Sequence, residues 1–371
     1  MQARRILVIG GYGFFGQRLV RRLARIDTLD VVVAGRSLQQ AQALVAALAP
    51  TAAAQLSALA VDALSDQLSA LLQRLRPQVV VHTSGPFQGQ GYAVARACIA
   101  CGVHYVDLAD GHDFVCGIGA LDEAARAAGV LVASGASSVP ALSSAAVDHL
   151  VEGWQRVDFI DIGISPGNRT ERGLSTVQAI LAYCGRPLAG TAPPAHGWSG
   201  TWRFDYPGPV GRRLLSPCEV PDPSLLPARY PGHPQLRFGA GLELRWLHRG
   251  MNLMAAMARV GLVRDWRRHA GWLKAAADWA RHLGSDAGAM HVAVRGVDAA
   301  GAAGERCWVL LAEHGDGPYV PTLAASALVR RLMAGELPAR GARPCVGLLT
   351  LADFEREAAG LAIRMQVMEE R

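Results

Sequence analysis

"RRILVIGGYGFFGQRLVRRLARI", residues 4–26, decides how this chain folds. Ile6 to Ile9 is an unbroken apolar run, the pattern of a parallel strand covered on both faces. Leu19, Val20, Leu23 and Ile26 follow at helical spacing, with Arg18, Arg21, Arg22 and Arg25 largely on the other side. Between strand and helix, Gly11, Gly13 and Gly16 stand in the order G-x-G-x-x-G. With 41 glycines in 371 residues that order alone is weak, so the flanks carry the inference. A tight turn from a buried strand into an amphipathic helix lets the backbone approach a pyrophosphate and aims helix amides at it. Tyr12, Phe14 and Phe15 lie in the same turn and are expected, with the three glycines, to contact the cofactor.

The next strand-like run, Val31 to Ala34, ends in Gly35-Arg36-Ser37. A dinucleotide site for NAD usually has an acid here for the ribose 2′-hydroxyl, whereas an arginine suits a 2′-phosphate. Arg36 offers a fork of donors and Ser37 a hydroxyl, so the cofactor expected is NADP(H). A solvated loop arginine is the competing explanation of Arg36. Asp62, just past the third strand-like run, is a further candidate cofactor contact.

A 371-residue chain that is 51% hydrophobic can bury a large core and is expected to form two domains. The net charge of +6 does not imply nucleic acid. Lys274 is the only lysine, so the other 36 of the 37 basic residues are arginines, scattered without an aromatic-flanked basic run. A Schiff-base or phosphate-loop lysine is thereby excluded everywhere but Lys274, which has no glycine loop before it. Seven dispersed cysteines are too few for a secreted disulfide framework, and Cys98-x-x-Cys101 falls on a helical stretch with no second pair to complete a metal site. The chain opens on the first strand with no signal-peptide pattern and has no run of 18 apolar residues. The expectation is a soluble, cytoplasmic protein that does not insert into membranes and binds no metal.

Strand-like runs at 5–9, 30–34, 56–61, 78–82, 103–107 and 130–134 alternate with helical stretches at 17–26, 38–49, 64–75, 91–101 and 120–128. That alternation implies α/β architecture: a Rossmann doubly wound parallel sheet, filling residues 1–140. The texture then changes. Residues 157–164 read as a strand, and 186–234 hold eleven prolines, which excludes long helices there. "QLRFGAGLELRWL" (235–247) and the pair 290–297 and 306–313 read as antiparallel strands, with helices over 250–283. Residues 141–317 are therefore expected to form an α+β substrate and dimerisation domain. Residues 318–371, helical over 321–335 and 350–365, are expected to pack back on the first domain.

"GGYGFFG", "AGRS", "SGPFQGQGYAVARACIACGVHYVDLADG", "LDEAARAAGV" and "SGASSVPALSS" together resemble saccharopine dehydrogenase-like oxidoreductases over roughly the first 150 residues. The resemblance implies NADP(H) or NAD(H) on the Rossmann domain and the making or breaking of a secondary amine through an imine. This chain departs from the lysine-forming branch, whose acid–base pair needs a lysine absent from its first 273 residues. It also reads Val139-Pro140-Ala141 where glutamate-forming relatives often carry Asp-Pro-Gly. In some relatives the carboxylate matching Asp122 lies close to the substrate amine; a helix N-cap is the competing role.

Ligands of open parallel sheets sit beyond the carboxyl ends of the strands. Strand four ends in Thr83-Ser84-Gly85-Pro86-Phe87, so Ser84, Gly85 and Pro86 are expected at the nicotinamide ribose, with Phe87 walling the substrate pocket. Strand five ends in "DLADGHDF", where Asp107, Asp110, His112 and Asp113 crowd one edge. His112 and Asp110 are, with Asp122, the candidate proton carriers, since grouped carboxylates and an imidazole can titrate near neutral pH. Strand six ends in Ser134-Gly135-Ala136-Ser137-Ser138; Ser134 and Gly135 are expected at the nicotinamide and Ser137 at the substrate. The near match to a hydrolase elbow fails at Val139. Further on, Asn168, Arg169 and Arg172 precede a helix at Leu174 and suit a carboxylate substrate. Arg245, His248 and Arg249 form a second, weaker basic group. Three functions fit: an NADP(H)-dependent dehydrogenase acting on an imine or secondary amine, an enoyl reductase on a lipid or polyketide intermediate, or a non-catalytic NADP(H) sensor. A homodimer is expected.

Overall fold

Ile6, Leu7 and Val8 are wholly buried, which is what an unbroken apolar run achieves only at the centre of a sheet covered on both faces. The computed structural model describes residues 4–171, 173–337 and 340–368. Strand β1 (Arg4–Ile9) leads through the glycine turn into the helix Gly16–Leu23 and on to β2 (Leu29–Gly35). The alternation continues with β3 (Gln55–Ala60), β4 (Val79–His82), β5 (His104–Asp107) and β6 (Leu131–Ser134). β1 pairs in parallel with both β2 and β4, so the chain winds outward in two directions from the β1–β4 seam. That seam is the topological switch point, where a dinucleotide crosses the strand ends.

A second group of strands follows: β7 (Arg156–Ser165), β8 (Trp202–Asp205), β9 (Arg212–Pro217), β10 (Gln235–Ala240), β11 (Gly288–Val297) and β12 (Ala303–Ala312). The chain then runs through the helix Val320–Ala334 into β13 (Gly341–Pro344), which pairs in parallel with β6. It ends in the helix Leu351–Ala358 and β14 (Ile363–Met368), paired antiparallel with β12. The first sheet is therefore β13-β6-β5-β4-β1-β2-β3 and the second β14-β12-β11-β7-β10-β9-β8. The contacts divide the chain into two units, 1–142 with 319–349, and 143–318 with 350–371.

Three expectations need correction. "QLRFGAGLELRWL" is a strand only over Gln235–Ala240, parallel to β7; from Arg245 it is a 15-residue helix. Residues 350–365 are not one helix. A capping box at Thr350 and Asp353 starts a helix that stops at Ala358, and the following residues pair as β14. The end of the chain consequently belongs with the second unit, and only Tyr319–Leu349 returns to the first. β13 was not expected as a strand: four residues carry no periodicity, and its pairing with β6 is a contact across two hundred residues of sequence.

Candidate functional site

The glycine turn is held by its own backbone. The Gly10 and Gly11 amides both donate to the Ala34 carbonyl of β2, at 2.8 and 3.0 Å, and the Gly13 amide donates to Gly10. A Cβ on Gly16 would lie 2.1 Å from the Gly10 carbonyl oxygen and 2.8 Å from Thr83 Oγ1, so only glycine lets the helix start this close to the strand. A Cβ on Gly13 would meet only the Gly10 oxygen, at 3.0 Å, and beyond it the space is open. The amides of Phe14, Phe15 and Gly16 find no acceptor among the described residues. An open cradle with unused helix amides fits a pyrophosphate.

The residues around the turn divide the work. The Tyr12 hydroxyl accepts from the Ser37 amide at 2.8 Å, and its ring lies so close to Gly35 that a Cβ there would sit 2.5 Å from it. Tyr12 thus braces the β2 end against the turn. The Ser37 hydroxyl caps the following helix by accepting from the Gln40 amide. Its proton is free to donate. Arg36 is exposed at the end of β2 and forms no hydrogen bond or ion pair among the described residues. Phe14 carries the Arg18 guanidinium over its ring, 4.0 Å from the centroid, and Phe15 packs edge-on against Phe14. Asp62 is exposed, and its carboxylate accepts from the Leu64 amide in a local turn.

At the β4 end, Thr83 is tied to the Ile9 carbonyl through both its amide and its hydroxyl, while Ser84, Gly85 and Pro86 reach the surface. Gln90 Nε2 donates to the Ser84 carbonyl at 3.2 Å. Phe87, expected at the substrate pocket, is turned inward and buried against His82 and Phe114, with ring centroids 5.1 and 5.2 Å away. Ser134 is also removed from the expected role. It is fully buried, and its hydroxyl donates to Asp107 Oδ1, which also accepts from the Gly135 and Ala109 amides at 2.8 and 3.0 Å. Burial pushes the Asp107 carboxyl up to about 6 against these hydrogen bonds, and its Oδ2 has no hydrogen-bond partner. Beside it, Tyr105 hydroxyl and His82 Nδ1 are 3.1 Å apart, and burial lowers the His82 imidazole to about 4. This buried His–Tyr–Asp group under the strand ends was missed in the sequence. Besides Asp107 in the crowded edge after β5, the available signal was a histidine closing the all-valine run of β4.

Asp110 presents its surface to solvent while the surrounding protein desolvates its carboxyl and raises its pKa, opposed by a hydrogen bond from the Gln88 side chain. His112 begins the next helix with Nδ1 2.8 Å from the fully exposed Asp113 carboxylate. Both groups follow the end of β5, and Asp110 meets Gln88 of the loop that follows β4. Asp122 does not join them. One oxygen is bound by Arg126 at 2.7 Å and the other accepts from the Ala342 amide at 2.8 Å, which pins β13 to the helix Asp122–Ala127 and, led by Arg126, holds its pKa low. Ser137 is nearly buried, its amide turned to the Gly135 carbonyl.

In the second unit Asn168 is 1% exposed, donating Nδ2 to the Ala280 carbonyl and its amide to Glu243, so it cannot reach a substrate and instead holds the loop. Arg169 is exposed, with its amide bonded to Ser285. Arg172 lies outside the described residues. His248 is buried, Nε2 2.9 Å from Ser216 Oγ, and burial lowers it to about 4. Cys98 is buried and inert, its thiol pushed up by desolvation.

A glycine turn at the switch point of a parallel sheet, with free helix amides and an unpaired arginine at the second strand end, defines a Rossmann-type dinucleotide-binding protein. Residues 6–133 match the sequence profile of the saccharopine dehydrogenase NADP binding domain. Residues 6–133 therefore form a saccharopine dehydrogenase-type NADP-binding domain, and the chain binds NADP(H). Apo saccharopine dehydrogenase (L-Glu forming) from Saccharomyces cerevisiae has the same fold, with a TM-score of 0.66 over 99% of this chain and 100% of that one at 12% identity. A curated Mycobacterium tuberculosis protein, named as a candidate trans-acting enoyl reductase, is 36% identical over 104 residues. That match spans 28% of this chain and 24% of the relative. No helix among the described residues is long and apolar enough to cross a membrane.

Proposed function

We propose that this chain is an NADP(H)-dependent oxidoreductase that reduces an imine, or oxidises a secondary amine, in an amino-acid-derived substrate bearing carboxylates. The observation that carries this reading is the pairing of an open, phosphate-fitting turn at β1 with a titratable pair, Asp110 and His112, beyond the neighbouring strand end β5. The turn amides and Arg36 would hold the phosphates, and the bound nicotinamide supplies or accepts hydride. His112, held by Asp113, exchanges the proton with the substrate nitrogen, and Asp110 biases that exchange by its charge. The Ser84–Pro86 turn positions the ribose, and Arg169 and Arg172 are the residues assigned to substrate carboxylates.

The second reading is reduction of an enoyl group, favoured by the name of the Mycobacterium tuberculosis relative. Both need NADPH, so the distinguishing assay is NADPH oxidation with panels of amines plus 2-oxo acids against enoyl thioesters. Turnover of charged amine and oxo-acid pairs supports the imine reading; turnover confined to enoyl compounds rejects it. NADPH binding with no turnover on any panel would leave a sensor. A cytoplasmic location belongs to the same reading, as does a homodimer, the latter supported by Trp246, Leu253, Trp272 and Trp279, large apolar side chains left exposed on two helices of the second unit. Light scattering at micromolar concentration tests it.

A further inference from the structure

The exposed Arg203, Arg212, Arg245 and Arg249 line, with Leu214, one cavity of about 180 Å³ in the second unit. The arrangement follows from two elements. In the β8–β9 hairpin Arg203 pairs with Leu214 and Asp205 with Arg212, so these four side chains share one face. Arg245 and Arg249 lie one helical turn apart on the helix Arg245–Arg259 and so share a face as well. Among the described residues only Arg212 of the four is neutralised, by a two-pronged ion pair to Asp205. Arg203, Arg245 and Arg249 form no hydrogen bond or ion pair among the described residues.

This placement works against the stability of the chain. Like charges four residues apart repel, and a cation in the first turn of a helix opposes the helix dipole. That first turn carries no acid to offset them. Three uncompensated guanidiniums gathered at one concave spot, against two local rules, are relieved by a ligand with the opposite charge. We infer that this cavity is a binding site for a small oxyanion carrying at least two negative charges, a phosphoryl group or a polycarboxylate. Guanidinium forks match the planar or tetrahedral oxygens of either, and the volume is below the ~300–1,000 Å³ of drug-sized pockets. The inference does not depend on the proposed reaction.

The test uses the full chain in chloride buffer at constant ionic strength, titrated calorimetrically with inorganic phosphate and, separately, with citrate. Saturable binding of either is expected, and the stronger of the two tells a phosphoryl from a carboxylate ligand. Arg245→Gln with Arg249→Gln should weaken that binding at least about tenfold, as expected for loss of charge-assisted bonds. The same double variant should melt no lower than wild type in the absence of anion, and NADPH affinity should not change. Arg203→Gln, on an exposed edge strand, serves as the second variant and should weaken the anion in the same way. The inference is overturned if neither anion binds saturably above the chloride control, or if the variants bind as tightly as wild type.

Discussion

Gly13 and Gly16 are three residues apart in one turn, yet a valine at each should do different damage. At Gly13 the new Cβ meets one atom, the Gly10 carbonyl oxygen at 3.0 Å, and the rest of the side chain projects into open space. A shift of a few tenths of an ångström accommodates it, which puts the cost near the low end for overpacking, about 1 kcal/mol. For a domain of this size that lowers Tm by about 2–4 °C. The same open space is where a pyrophosphate must approach, so the NADPH dissociation constant should rise at least about a hundredfold, ~2.8 kcal/mol. At Gly16 the Cβ would lie 2.1 Å from the Gly10 carbonyl and 2.8 Å from Thr83 Oγ1, both part of the strand ends. Helix and strand must then separate, at about 3 kcal/mol or more, or roughly 6–12 °C. Thermal melts followed by circular dichroism, with NADPH fluorescence titration on each folded variant, measure both quantities. A Gly13→Val protein that binds NADPH as wild type does would show that the turn is not the cofactor site. A Gly16→Val protein with unchanged Tm would refute the packing argument.

Arg36→Asp addresses cofactor choice: the wild type should bind NADPH at least about tenfold more tightly than NADH, ~1.4 kcal/mol, and the variant should lose or reverse the preference. Equal wild-type affinities would remove Arg36 from the site. Asp107 tests the cost of a buried carboxylate. Its folded pKa, about 6, lies above the unfolded 3.8, so the folded state binds its proton more tightly. The penalty is absent below the lower value, grows between the two and is complete above the higher. Asp107→Asn keeps an Oδ1 for the Ala109 and Gly135 amides, so its Tm should gain on the wild type as pH rises from 4 to 7; a difference independent of pH would contradict the buried-acid account. Asp122→Ala should lower Tm by orphaning the Ala342 amide, and leave kcat unchanged; a large fall in kcat at unchanged Tm would restore Asp122 to the chemistry. His112→Asn should cut kcat for whichever substrate turns over and leave the NADPH dissociation constant alone, as read by steady-state kinetics beside the fluorescence titration.

The sequence by itself determined the first unit as far as β6 and the identity of its ligand. A buried parallel strand, a glycine turn and an amphipathic helix are all local patterns, and the third glycine is needed because the helix starts against its own preceding strand. The position of Arg36 was legible for the same reason: the strand end it occupies is set by the apolar run before it. What only the tertiary structure decided is where side chains on loops and short elements point. Phe87, Ser134 and Asn168 sit at strand ends or in loops, as ligand contacts would, but each is turned inward. Nothing in the residues nearby announces that His82, Asp107 or Ala280 will supply the partner. Asp122 meets β13 across more than two hundred residues, and β13 and β14 exist as strands because distant edges pair with them. The four arginines come from a hairpin and a helix that are separate in sequence, so each reads singly as a solvated surface charge. Periodicity encodes which face of an element is buried; it does not encode which distant element arrives there, and that arrival settles what each polar side chain is for.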